Sequence, residues 1–178
     1  MWNGAELARA FGVSQYVVRR YLETLESVFM VRSLRPWSAN IAKRQVKAPK
    51  IYIRDSGLLH CFLETATERT LFRHPKVGAS WEGFVIEHVL ATLRAPPEAA
   101  FFWRAHTGAE LDLLVSQRGD LRGFGIKRTT APRLTRSSRS AMESLGLERL
   151  DLIHAGSETF PLAPGVRAVA ASRLVSDL

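Results

Sequence analysis

TGAELDLLVSQRGDLRGFGIKRT, residues 107–129, alternates apolar and polar side chains on either side of an Arg-Gly-Asp turn. That period of two is the pattern of a β-hairpin. One arm carries two carboxylates, Glu110 and Asp112, which alternation places on the same side; the other arm ends at Lys127. An acidic strand followed by an acid-x-lysine triplet is the skeleton of a metal-dependent nuclease. Here the triplet reads Gly125-Ile126-Lys127, and the acid is missing.

Outward from the hairpin, the order of elements is that of an α/β fold. A strongly patterned helix precedes it in HPKVGASWEGFVIEHVLATLR, with Ser80 expected as N-cap, Glu82 in the first turn and Trp81, Phe84, Val85, Val89 and Leu93 on the buried face. LTRSSRSAMESLGLERL follows as a helix ended near Gly146, LDLIHAG as a buried strand, and GVRAVAASRLVSDL as a terminal strand or helix. Helices alternating with strands predict a sheet covered on both sides.

The first 36 residues differ in character. AELARAFG and QYVVRRYLETLESVF are two helical stretches joined by a glycine turn, with Ser14 positioned to cap the second. Val17 or Val18, Tyr21, Leu25 and Phe29 recur at helical spacing and are expected as its buried stripe. Gln15, Tyr16, Arg19 and Arg20 lie off that stripe, where a recognition helix would contact DNA. A strand or wing, FMVRSLRPW, ends at Pro36. The organisation expected is a partial winged helix-turn-helix over 1–36 and an α/β domain over 37–178. KIYIRD reads as a strand, and SGLLHCFLE as a helix capped by Asp55 or Ser56.

The 178 residues carry 25 Lys and Arg against 17 Asp and Glu, a net charge of +8. Ten basic and four acidic side chains fall within residues 1–60. A basic block suggests a polyanion partner, so Lys43, Arg44, Lys47 and Arg128 join the α-helical residues as nucleic-acid candidates. No apolar run approaches the ~20 residues of a membrane helix, and no signal pattern opens the chain. The single cysteine, Cys61, excludes an internal disulfide and fits a reducing, cytoplasmic setting. No GxxxxGK[ST] loop is present, so no nucleotide is expected.

GASWEGFVIE, GAELDLLV and GIKRT, together with GVSQYVVRRYLETLE, PKIYIRDSGLLH and RLDLIHAGSETFPLAPGVRAV, resemble the C-terminal region of bacterial and archaeal ATPases of the AAA superfamily. The resemblance covers almost the whole chain. It implies a winged-helix segment followed by a restriction-endonuclease-like, or PD-(D/E)xK, mixed sheet flanked by helices, here without the ATPase module. It also implies catalytic roles for Glu82, Asp112 and Lys127, with Asp112, Glu82 and Glu110 as ligands of Mg²⁺ or Mn²⁺ if the site is active, and no cofactor otherwise. Absence of the ATPase module makes the N-terminus look truncated and leaves a helical face for a homodimer to cover. The function expected is DNA binding without efficient cleavage. The alternatives are a metal-dependent DNA nuclease and a non-catalytic module that docks on an ATPase or on itself.

Overall fold

The computed structural model describes residues 2–38 and 48–178; the candidates Lys43, Arg44 and Lys47 lie outside the described residues. The chain opens with two helices, α1 (Gly4–Phe11) and α2 (Gln15–Ser27). Asn3 caps the first through the Glu6 N–H, and Ser14 caps the second by accepting from the Val17 N–H. The strands β1 (Val31–Pro36) and β2 (Lys50–Ile53) follow, then two short helices, α3 (Ser56–Phe62) and α4 (Glu68–Arg73). Asp55 caps α3, as its position before an apolar run suggests. The long helix α5 (Val77–Leu93) leads into β3 (Ala100–Arg104), β4 (Glu110–Gln117) and β5 (Asp120–Lys127). Helix α6 (Arg136–Leu145), β6 (Leu150–His154), β7 (Phe160–Ala163), β8 (Val166–Ala170) and the short α7 (Leu174–Asp177) complete the chain.

The result is a mixed α/β structure with an N-terminal helical part. Its eight strands form one sheet in the order β2-β1-β3-β4-β5-β6-β8-β7. The hairpin at its centre turns through Arg118 and Gly119, both at positive φ (56° and 87°). That two-residue geometry matches the twist of the paired strands, and glycine adopts it without a Cβ penalty. β5, β6 and β8 run parallel, the α6 crossover lying between the first two. The strand expected as a wing, β1, is part of the same sheet: it pairs antiparallel with β2 and, at its end, parallel with β3.

Two apolar layers sandwich the sheet. One holds Val85, Ile86, Val89 and Leu90 of α5 against Leu113, Val115, Phe124, Ile126, Ile153 and Val169. The other holds Ala141 of α6 against Leu111, Leu114, Leu150 and Leu152. Strict alternation would keep Leu111 with Leu113. Instead the pairing of β3 with β4 shifts between Phe101 and Trp103, so the faces exchange across Asp112. This is the geometry of a β-bulge.

Three expectations need correction, the simplest being Phe84, expected on the buried face of α5 and 36% exposed. α5 begins a turn earlier than Ser80, at Val77, and its N-cap Lys76 makes no side-chain cap. Ser80 is buried inside the helix, where its hydroxyl bonds His60 Nε2 at 2.8 Å. Glu82 therefore sits beyond the first turn, and its place owes nothing to the helix terminus. In α2 the interior is reached by Val18, 4% exposed, while Tyr21 and Leu25 are 62% and 37% exposed, and Phe29, beyond the helix end, is 70% exposed. The apolar pattern is real, but most of it faces outward.

Candidate functional site

Strand alternation in Lys-Ile-Tyr-Ile places Lys50 and Tyr52 on one face of β2. Lys50 reaches carboxylates of both α5 and β4, and Tyr52 reaches that of α5. Lys50 Nζ lies 2.9 Å from Glu82 Oε1 and 2.5 Å from Glu110 Oε1. The Tyr52 hydroxyl donates to Glu82 Oε1 at 2.5 Å. Arg104 Nε adds a contact to Glu110 Oε2 at 3.1 Å. Burial pulls the Lys50 ammonium down, but the hydrogen bonds and charges of Glu110 and Glu82 outweigh it and hold it above its ordinary value. Burial and the Glu82 charge also raise the Tyr52 hydroxyl, so it stays a donor.

Asp112 is turned to a different task. Its Oδ2 accepts the Ile126 N–H at 2.7 Å, just where the β4–β5 ladder stops at Leu113–Phe124. A backbone donor stranded by the bulge is thereby satisfied. Lys127 Nζ stands 3.3 Å from the same oxygen, half exposed, against an Asp112 side chain that is 13% exposed. Burial first, and then the Glu82 charge, push the Asp112 carboxyl above its ordinary range, with Lys127 and the Ile126 amide pulling the other way.

The structure thus brings Glu82 and Glu110 together on Lys50, and Asp112 together with Lys127. Among the described residues no group of three acidic, His or Cys side chains converges to hold a metal ion. Mg²⁺ needs several oxygens free to point at one centre. Here an ammonium lies between two carboxylates, and the third spends an oxygen on a backbone N–H. The residues present do not fit the metal implied by the resemblance. Sequence reasoning missed Lys50, Tyr52 and Arg104; the period-two pattern in Lys50 and Tyr52 was the available signal.

Gly125 adds a steric reason. A Cβ at this position would lie 2.7 Å from Leu152 Cδ2, within the α6-side layer. Leu152 is its register partner on β6 and is 1% exposed. Gly125→Glu, which restores the acid-x-lysine triplet, is expected to destabilise the fold by about 1–3 kcal/mol through overpacking and to gain no Mn²⁺ binding. Calorimetric melting and Mn²⁺ titration check both points. A variant with the parental Tm that binds Mn²⁺ would disprove the steric argument.

Part of the basic excess of the first third is turned inward. Arg32 and Arg54 both contact Glu87 of α5, Arg32 through two nitrogens. With Lys50 on Glu82 and Glu110, three of those ten cations serve as counter-charges inside the fold. Of the nucleic-acid candidates, Gln15, Tyr16, Arg19 and Arg20 are exposed on α2, and Gln15 and Arg19 line a cleft with Trp2, Ser33 and Arg35. Arg128 is exposed after β5, its guanidinium 5.5 Å from the centre of the Phe72 ring. The helix pair holds Arg9, Arg19 and Arg20 against Glu6, Glu23 and Glu26, so it has no net charge.

Comparison with known proteins gives two family matches, each described as a domain of unknown function: DUF8612 over residues 1–69 and DUF4143 over residues 77–174. The chain is 48% identical over 176 residues to the uncharacterized protein Rv2008c of Mycobacterium tuberculosis and to the uncharacterized protein Mb2031c of Mycobacterium bovis. The match covers 99% of this chain and 40% of each relative, so the chain spans well under half their length. No solved structure matches. The second family match spans α5 through the start of α7, more than half of the chain and most of the sheet; the chain belongs to the DUF4143 family of domains of unknown function.

Proposed function

We propose that this chain is a non-catalytic docking module whose α1–α2 helix pair binds a partner polypeptide. The observation that carries this reading is the outward apolar stripe of α2. Tyr21, Leu25 and Val28 recur at i, i+4 and i+7 and are 62%, 37% and 56% exposed; Phe29, which follows them, is 70% exposed and Phe11 of α1 68%. An exposed apolar stripe at helical spacing supports an interaction site, since each large side chain fully buried contributes roughly 1.5–3 kcal/mol. The partner is the additional chain that the mycobacterial relatives carry beyond their 40% match; the resemblance to AAA-superfamily proteins makes an ATPase module the expected form of it. Lys50 between Glu82 and Glu110 supports a module without nuclease chemistry.

The test is calorimetric titration with the part of the Mycobacterium tuberculosis relative that lies outside its match to this chain. Saturable binding is expected, weakened more than tenfold by Tyr21→Glu with Leu25→Glu, while Tm is unchanged because both side chains are exposed. Equal binding by the variant overturns the reading. A dimer in light scattering that the same variant abolishes would replace the partner with a second copy.

A second reading, DNA binding, is supported by Tyr16 and Arg20, both exposed in the first two turns of α2 behind a helix-turn-helix connection. Phosphate contacts release counterions, so this reading requires an affinity that falls steeply with salt and is reduced by Arg20→Ala.

A further inference from the structure

The sheet has an opening inside it. Arg54 donates its N–H to the Met30 carbonyl at 3.0 Å, which fixes the phase of the β1–β2 ladder. Bonded pairs alternate in an antiparallel ladder, so Arg32–Tyr52 and Leu34–Lys50 are the bonded ones. Val31 and Ser33 therefore direct their N–H and C=O groups to the opposite edge of β1. On that side β3 meets β1 only at Arg35–Phe101 and Pro36–Phe102. Continuing that register backwards would set residues 97–99 opposite Val31–Ser33, but they form a 3₁₀ turn led by Pro96 and Pro97. Proline has no N–H to give a ladder. The two strands diverge into a cleft of about 450 Å³ whose lining includes Phe29, Val31, Ser33, Arg35, Glu98 and Ala100. Among the described residues, Val31 and Ser33 have no backbone partner across it.

We infer that this cleft is a strand-addition site: an extended segment of the docked partner pairs with the Val31–Ser33 edge of β1. An open strand edge recognises extended backbone, because its donors and acceptors match those of another strand. The occupant is indicated by continuity. Phe29 belongs to the exposed apolar stripe and also lines the cleft, so a chain seated on α2 reaches the edge without a break. Arg35 is exposed at the cleft and has no ion-pair partner among the described residues, which suits a carboxylate on the incoming strand. The inference rests on the docking reading and adds the mode of recognition.

The test is amide hydrogen exchange by NMR on the full chain, with and without the extra segment of the Mycobacterium tuberculosis relative. In the free chain Val31 and Ser33 exchange faster than Arg32 and Leu34; with the segment bound they slow at least tenfold. Ser33→Pro, which removes an N–H the fold does not use, is expected to keep Tm and weaken binding about tenfold. Should the segment not fold alone, the positions matching Val31 and Ser33 in the full-length relative are measured instead, and protection there is expected. Binding that depends on Tyr21 but leaves both amides unprotected overturns strand addition and spares the docking reading. Absence of binding, with fast exchange in the full-length relative, overturns both.

Discussion

Lys50→Ala lowers the stability of the fold by about 3 kcal/mol at neutral pH, the lower end of the cost of removing one partner from a buried ion pair. For a chain of this size that is roughly 6–12 °C in Tm. The two carboxylates left behind are only 24% exposed and share an ammonium now missing. They face each other as like charges in a site that water reaches poorly. The sign of the pH dependence is set by Lys50 itself. Its value in the fold lies above the ordinary 10.5, so its contribution is complete below 10.5 and is lost as pH rises through the raised value. The parent should therefore weaken more steeply in strong alkali than the variant, which keeps only the alkaline limb of the raised Tyr52 hydroxyl.

The same substitution tests whether Lys50 is what keeps these carboxylates from fitting a metal ion. Two convergent carboxylates without the ammonium are a partial ligand set for a hard cation. Mn²⁺ should raise the Tm of Lys50→Ala by mass action and leave the parent unmoved. Thermal scans with and without Mn²⁺ decide it. If the variant melts with the parent, or if both respond alike to Mn²⁺, then Lys50 is not the cation that organises Glu82 and Glu110.

How much of the fold and the site is legible in the sequence depends on whether the signal is local. The central hairpin, the stop at Gly146 and the cap at Ser14 are readable, and the cap of α3 is readable to Asp55 or Ser56, because each is fixed by residues within a few positions of one another. The start of α5 is not, since Lys76 caps nothing with its side chain and a serine further on offers a false cap. Tyr21, Leu25 and Phe29 show a different limit. Periodicity reports that a face is apolar; it does not report whether the cover comes from the same chain. Lys50 is hidden by residue type, because lysine on a short strand reads as solvated until the strand is placed beside α5. Asp112 stands out in the sequence as a carboxylate on an apolar strand. Its partner, the Ile126 N–H, depends on a bulge that sequence alternation cannot show.

Glu87→Ala is expected to cost about 3 kcal/mol at pH 7, again from isolating a buried charge. Arg32 holds Glu87 through two nitrogens and is 9% exposed; Arg54 Nε donates to Oε2, the oxygen that Arg32 Nη2 also contacts, at 2.9 Å. Burial pushes the Glu87 carboxyl upward, but the bonds and charges of Arg32 and Arg54 outweigh it and bring it below the ordinary 4.5. A depressed carboxyl contributes stability that is present above 4.5 and is lost as pH falls through the lowered value. Urea unfolding at a series of pH values should show the gap between parent and variant closing in that window. A gap that stays constant down to the lowest pH would mean that packing, and not charge, joins these elements. The consequence reaches beyond the residue, because Arg32 and Arg54 lie in the segment matched by one family and Glu87 in the segment matched by the other. The cluster ties β1 and β2 to α5, and with them the strand edge and helix face proposed to receive the partner. Loosening it should weaken partner binding in Glu87→Ala although Glu87 touches neither surface, a coupling that a helix pair attached only by its linker would not produce.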